Sequence, residues 1–100
     1  MIQSLAEIKE RLHDEKPYLY EKYGVTEIGV FGSYVRGEQK PDSDIDILVT
    51  LTEPPKISLL GLVDLQYYLS DLLGLEADVA LKSNLRKRIG QRILSEVQPV

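Results

Sequence analysis

Residues 32–46 read GSYVRGEQKPDSDID: a Gly-Ser pair, ten residues of spacer, and then two aspartates, Asp44 and Asp46, one residue apart. The aspartates lead into the apolar run Ile45, Ile47, Leu48, Val49, which predicts a β-strand from Asp44 to about Leu51. Residues i and i+2 of a strand point to the same face, so the two carboxylates stand side by side, about 6–7 Å apart at Cβ. Like charges at that spacing are unfavourable without a cation, and hard oxygen ligands suit Mg²⁺ bridging to substrate phosphates. The alternative is a solvated strand start made of Asp42, Asp44 and Asp46; against it, aspartate is disfavoured in strands.

Outward from that strand, the other candidate groups fall into place. Gly32 and Ser33 end one predicted strand, Val25–Phe31, and begin a short helix over 33–37. Backbone N–H groups there can address a phosphate, the missing Cβ of Gly32 lets it come close, and Ser33 adds a hydroxyl; an ordinary turn with a serine N-cap reads the same way locally. Arg36, one helical turn on, can reach a phosphate or pair with Glu38. Residues 75–81 alternate as a third strand, on which Asp78 can complete a carboxylate triad with Asp44 and Asp46, with Glu76 as its competitor on the same face.

The remaining elements are helical. Leu5, Ile8 and Leu12 follow a Ser4 cap with Glu7 three residues on, predicting a first helix. Pro17 is expected to break it and start a second short turn through Tyr20, ended by Gly24. Apolar residues at 59, 62, 63, 69, 72 and 73 predict a helix over 57–73, stopped by Gly74. Ser83 or Asn84 is expected to cap a last helix with the stripe Leu85, Ile89, Ile93, Val97. The predicted order is α, β, α, β, α, β, α, an α/β (α+β) fold with a mixed three- to four-stranded sheet flanked by helices, in a single domain spanning 1–100.

With Gly32, Ser33, Arg36, Gly37, Glu38, Asp44 and Asp46 in register, the chain resembles the nucleotidyltransferase superfamily that includes DNA polymerase β. At 100 residues, with the GSYVRGE turn and the closing RKRIGQRILSEVQPV, it is most similar to the minimal nucleotidyltransferases, antitoxin partners of HEPN-domain toxins. Val35 departs from the pattern, which commonly has alanine there. The resemblance implies two Mg²⁺ ions held by Asp44, Asp46 and Asp78, ATP as substrate with its β and γ phosphates on Gly32 and Ser33, and transfer of AMP to a tyrosine hydroxyl of a HEPN ribonuclease. Two other readings stay open: an antitoxin that neutralises by contact alone, and a small-molecule nucleotidyltransferase of the aminoglycoside-modifying kind, which carries an added helical domain.

Composition bounds these readings. A chain of this length buries about 65% of its unfolded surface, enough for one core. There is no cysteine, so a disulfide framework and a zinc-thiolate site are excluded. Apolar stretches are interrupted at Asp64, Gln66 and Asp71, no signal-peptide layout opens the chain, and a cytoplasmic protein without a membrane role is expected. The net charge of −4 argues against binding nucleic acid by phosphate neutralisation. After Asp78 the only acid is Glu96, while Lys82, Arg86, Lys87, Arg88 and Arg92 form a basic face, either solvated or suited to a protein partner. His13 is expected at the C-terminal end of the first helix, complementing its dipole, and Tyr67 and Tyr68 are expected to pack rather than stack on a base.

Overall fold

The computed structural model describes residues 4–85 and 87–100, with the side chains of Lys87, Arg88 and Ile89 outside that description; most of the basic run 86–88 therefore lies outside the described residues. The elements are α1 (Leu5–Tyr23), β1 (Val25–Phe31), α2 (Ser33–Arg36), β2 (Ile45–Leu51), α3 (Leu59–Leu73), β3 (Ala77–Leu81), a 3₁₀ turn at Lys82–Asn84, α4 (Lys87–Glu96) and β4 (Gln98–Pro99). The four strands form one mixed sheet in the order β3-β2-β1-β4. Strand β1 runs antiparallel to both β2 and β4, and β2 runs parallel to β3 through the α3 crossover.

Two helices cover one face of the sheet. Ile45, Ile47 and Val49 of β2 and Val30 of β1 are fully buried against Ile8, Leu12 and Leu19 of α1 and Leu65, Leu69 and Leu73 of α3. The strand period then sends Asp46 and Leu48 of β2 to the opposite face, where Leu48 and Leu94 of α4 line one cavity and where a Cβ on Gly29 would meet Val97. No helix among the described residues is long and apolar enough to cross a membrane.

Pro17 does not break the first helix. Ile8, Leu12, Leu19 and Tyr23 fall within about 60° of one another on a helical wheel and are all buried, so one stripe runs the full length of α1. An interior proline costs about 3 kcal/mol, and burying a side chain of this size returns about 1.5–3 kcal/mol, so Leu19 and Tyr23 together offset it. His13 consequently sits exposed in mid-helix, away from the dipole's C-terminal end, and Lys22 occupies the last turn instead.

Three other expectations shift. On α3 the buried face is Leu65, Leu69, Leu73, while Leu59, Leu60, Val63 and Tyr67 are exposed. Of the adjacent tyrosines only Tyr68 packs: its hydroxyl donates to Glu15 at 2.7 Å, and burial with that carboxylate pushes its pKa up to about 12. Leu85 precedes α4 rather than opening it, and Val97 lies beyond it, where the chain turns into β4. Val100, just past that strand, donates its amide to the Ile28 carbonyl at 3.0 Å, and its carbonyl accepts from Lys16 Nζ at 2.8 Å.

Candidate active site at the Gly-Ser turn

The turn between β1 and α2 is built around Gly32, whose φ of 83° and ψ of −151° suit only glycine. A Cβ there would stand 2.1 Å from Oδ2 of Asp46, so the missing side chain is what lets the aspartate lie against the turn. Gly32, not Ser33, is the N-cap of α2, and its carbonyl accepts from Val35 and Arg36 at 3.1 and 3.2 Å. Ser33 is thus the first helical residue, its hydroxyl is not spent on capping, and the amides of Ser33 and Tyr34 have no acceptor within the helix.

The strand register brings two carboxylates level with this turn. Asp46 pairs with Phe31 across β1–β2 and with Asp78 across β2–β3. Asp44 lies exposed just ahead of β2, Asp46 is half-buried, and Asp78 is exposed on the edge strand. Burial, then the charges of Asp78 and Asp44, hold the Asp46 carboxyl above the usual carboxylate range, with Arg36 partly compensating. Glu76 lies ahead of β3 and uses its carbonyl to accept from the Ile45 amide at 2.9 Å. Buried Tyr34, on α2, has a hydroxyl without a partner among the described residues, and burial and the Asp44 charge raise its pKa.

Arg36 joins the turn to the carboxylates. Its Nε donates to Glu38 at 2.7 Å, as the sequence allows, and its Nη1 donates to both oxygens of Glu96 at 3.1 and 3.0 Å. Glu96 Oε2 also accepts from the Gly32 amide at 2.7 Å, and these bonds, the backbone one first, hold the Glu96 carboxyl below the usual range. Glu96 is the residue sequence reasoning missed. Its one signal is isolation, as the only acid after Asp78.

Asp44, Asp46 and Asp78 carry the donor chemistry for a divalent cation. Among the described residues no three acidic or histidine side chains converge into a ready-made cage. That fits Mg²⁺, which is held by one or two carboxylates plus substrate phosphates rather than by an all-protein site. The only partly compensated charge on Asp46 and the unpartnered Tyr34 hydroxyl, which feels the Asp44 charge, both suit a site completed on loading. A cavity of about 290 Å³ lined by Lys16, Pro17, Tyr20 and Glu27 lies away from these residues and gathers no comparable chemistry.

Residues 5–100 of the chain match the family described as "Nucleotidyltransferase domain". The chain belongs to the nucleotidyltransferase family. Protein adenylyltransferase MntA of Thermococcus cleftensis is 52% identical to this nucleotidyltransferase over 94% of this chain and 93% of its own length. A solved structure provisionally assigned as a minimal nucleotidyltransferase superposes with a TM-score of 0.81 at 31% identity, covering 98% of this chain and 97% of that one. More distant likenesses establish the fold alone: a toxin–antitoxin solved with AMP-PNP (TM-score 0.74, 21% identity, 91% of this chain and 70% of that one) and a complex of tri-AMPylated Shewanella oneidensis HEPN toxin with its MNT antitoxin (0.60, 20%, 94% and 66%).

Proposed function

We propose that this nucleotidyltransferase is the antitoxin of a toxin–antitoxin pair and a Mg²⁺-dependent protein adenylyltransferase, moving AMP from ATP to a tyrosine hydroxyl of a HEPN-domain toxin. The observation that carries the reading is the register match of Asp46 with Asp78, level with a Gly32 turn that has no room for a side chain. The 52% identical relative is itself a protein adenylyltransferase, and one of the structural neighbours holds an AMPylated HEPN toxin.

Each residue then has a part. Asp44, Asp46 and Asp78 hold the metal, which when bound neutralises phosphate charge and makes the acceptor hydroxyl easier to deprotonate. The Ser33 hydroxyl, the Ser33 and Tyr34 amides and Arg36 bind the β and γ phosphates, so that catalysis is mainly positioning and electrostatic stabilisation. The acceptor oxygen bonds to the α-phosphorus, the α–β bridging P–O bond breaks, and pyrophosphate leaves. The acceptor's proton departs toward Asp78. Because Asp78 is on the edge strand β3, the site opens sideways onto surface, an approach suited to a side chain presented by another protein.

Calorimetry tests the nucleotide half of this reading. Mg²⁺ with ATP should bind and stabilise the fold by about 2.7 kcal/mol at a hundred times the dissociation constant. Asp44→Asn combined with Asp46→Asn should abolish that binding; equal Mg²⁺-dependent binding by the double variant would refute the assigned site.

A further inference from the structure

Glu96 closes α4, 64 residues from the Gly-Ser turn it bonds. The pairs Gly29–Pro99 and Val30–Gln98 of the β1–β4 ladder, continued by two steps, set Glu96 opposite Gly32. At that step a side-chain carboxylate, instead of a main-chain carbonyl, receives the Gly32 amide, at 2.7 Å. The same carboxylate grips Arg36 Nη1 through both oxygens in charge-assisted bonds, with the Glu96 side chain 19% and the Arg36 side chain 39% exposed. Glu38 takes Arg36 Nε from the other side. A guanidinium has five donors, and the two on Nη2 have no partner among the described residues.

We infer that Glu96 is a positioning residue for triphosphate binding: it fixes both the backbone of the turn at Gly32 and the plane of Arg36, leaving the Nη2 donors, the Ser33 hydroxyl and the Ser33 and Tyr34 amides for phosphate oxygens. A guanidinium already clamped on two edges loses little freedom when it binds an anion. Glu96 engages none of those remaining donors, so it acts through Arg36 and Gly32 rather than by touching nucleotide. The inference rests on the adenylyltransferase reading above and assigns the C-terminal helix a part in it.

The test compares native chain, Glu96→Gln, Arg36→Gln and the double variant for ATP KM, kcat of AMP transfer to the partner, direct Mg-ATP binding and Tm. Removing hydrogen bonds to a charged group should raise the ATP KM of Glu96→Gln by about tenfold or more, with kcat within about threefold. The effect of the double variant should fall clearly short of the sum of the two single effects, since the two residues share one hydrogen-bonded unit. A residue that merely supports the fold would instead lower Tm and apparent kcat, leave KM unchanged, and add to Arg36→Gln. Should Glu96→Gln fail to fold, Glu96→Asp, which keeps the charge but shortens the reach, should show the same KM rise. An unchanged KM would overturn the inference, and so would a lowered one, which would make the carboxylate a competitor of phosphate. Failure of the native chain to bind Mg-ATP would defeat the functional reading itself, a separate outcome.

Discussion

Gly32 and Asp46 meet so closely that position 32 has no space for a Cβ, which would stand 2.1 Å from the Asp46 carboxylate. The turn of one strand and the carboxylate of its neighbour are therefore a single packed unit, and the strained φ of 83° is the cost of building it. Gly32→Ala should destabilise the fold by about 1–3 kcal/mol through backbone strain alone, with a Tm fall of about 4–8 °C per kcal/mol. Urea unfolding of the two proteins measures it; equal midpoints would show that the turn relaxes freely.

Asp46 should weaken the metal-free protein. Its folded pKa lies above that of the unfolded chain, so between the two values the native state binds more protons, and stability falls as pH rises through that window. Above the folded pKa the penalty is complete. Asp46→Asn should accordingly melt higher than the native chain at neutral pH without divalent cation, and the gap should close as pH drops below the unfolded value of about 3.9. A melting series across pH checks this; a variant less stable than the native chain at neutral pH would contradict the stated charge balance.

Tyr34 makes a related case. Its buried hydroxyl has no partner among the described residues, and an unsatisfied buried polar group costs about 1–3 kcal/mol. Tyr34→Phe should raise the Tm of the nucleotide-free protein. If the hydroxyl bonds Asp44 or the turn on loading, the same variant should gain less Tm from Mg-ATP, which thermal shift with and without nucleotide reads directly.

Part of the fold was legible in residues 32–46 and just before them because strand parity is strict: Asp46 sits between the buried Ile45 and Ile47 and turns from the core, β1 falls at its predicted bounds, and α2 ends at Arg36, one residue short of its predicted end. What escaped was long-range. Continuity of α1 across Pro17 depends on Leu19 and Tyr23 finding the same core as Ile8 and Leu12, a tertiary gain that local propensity does not contain. Strand β4 has only Gln98 and Pro99, too short for any periodicity, and a proline counts against a strand. Glu96 looked like a stray acid on a basic helix; its meaning exists only once the C-terminal segment lies beside β1.

Parity alone leaves Asp78 and Glu76 as rivals; Asp78 lies on β3 in register with Asp46, while Glu76 lies ahead of that strand. Asp78→Asn should cost at least about two orders of magnitude in AMP transfer, the scale for loss of a metal or proton-transfer group. Glu76→Gln should cost far less. Transfer of labelled AMP that survives Asp78→Asn and is lost in Glu76→Gln would reverse the assignment.

The central claim, covalent modification of a protein partner, is tested most directly by intact-mass spectrometry of the HEPN-domain toxin co-expressed with this chain. With the native chain the toxin should gain mass in steps of one AMP, and with Asp44→Asn it should gain none while still binding. A toxin that carries no addition yet is fully neutralised by both forms would contradict the account and leave contact alone as the means of neutralisation.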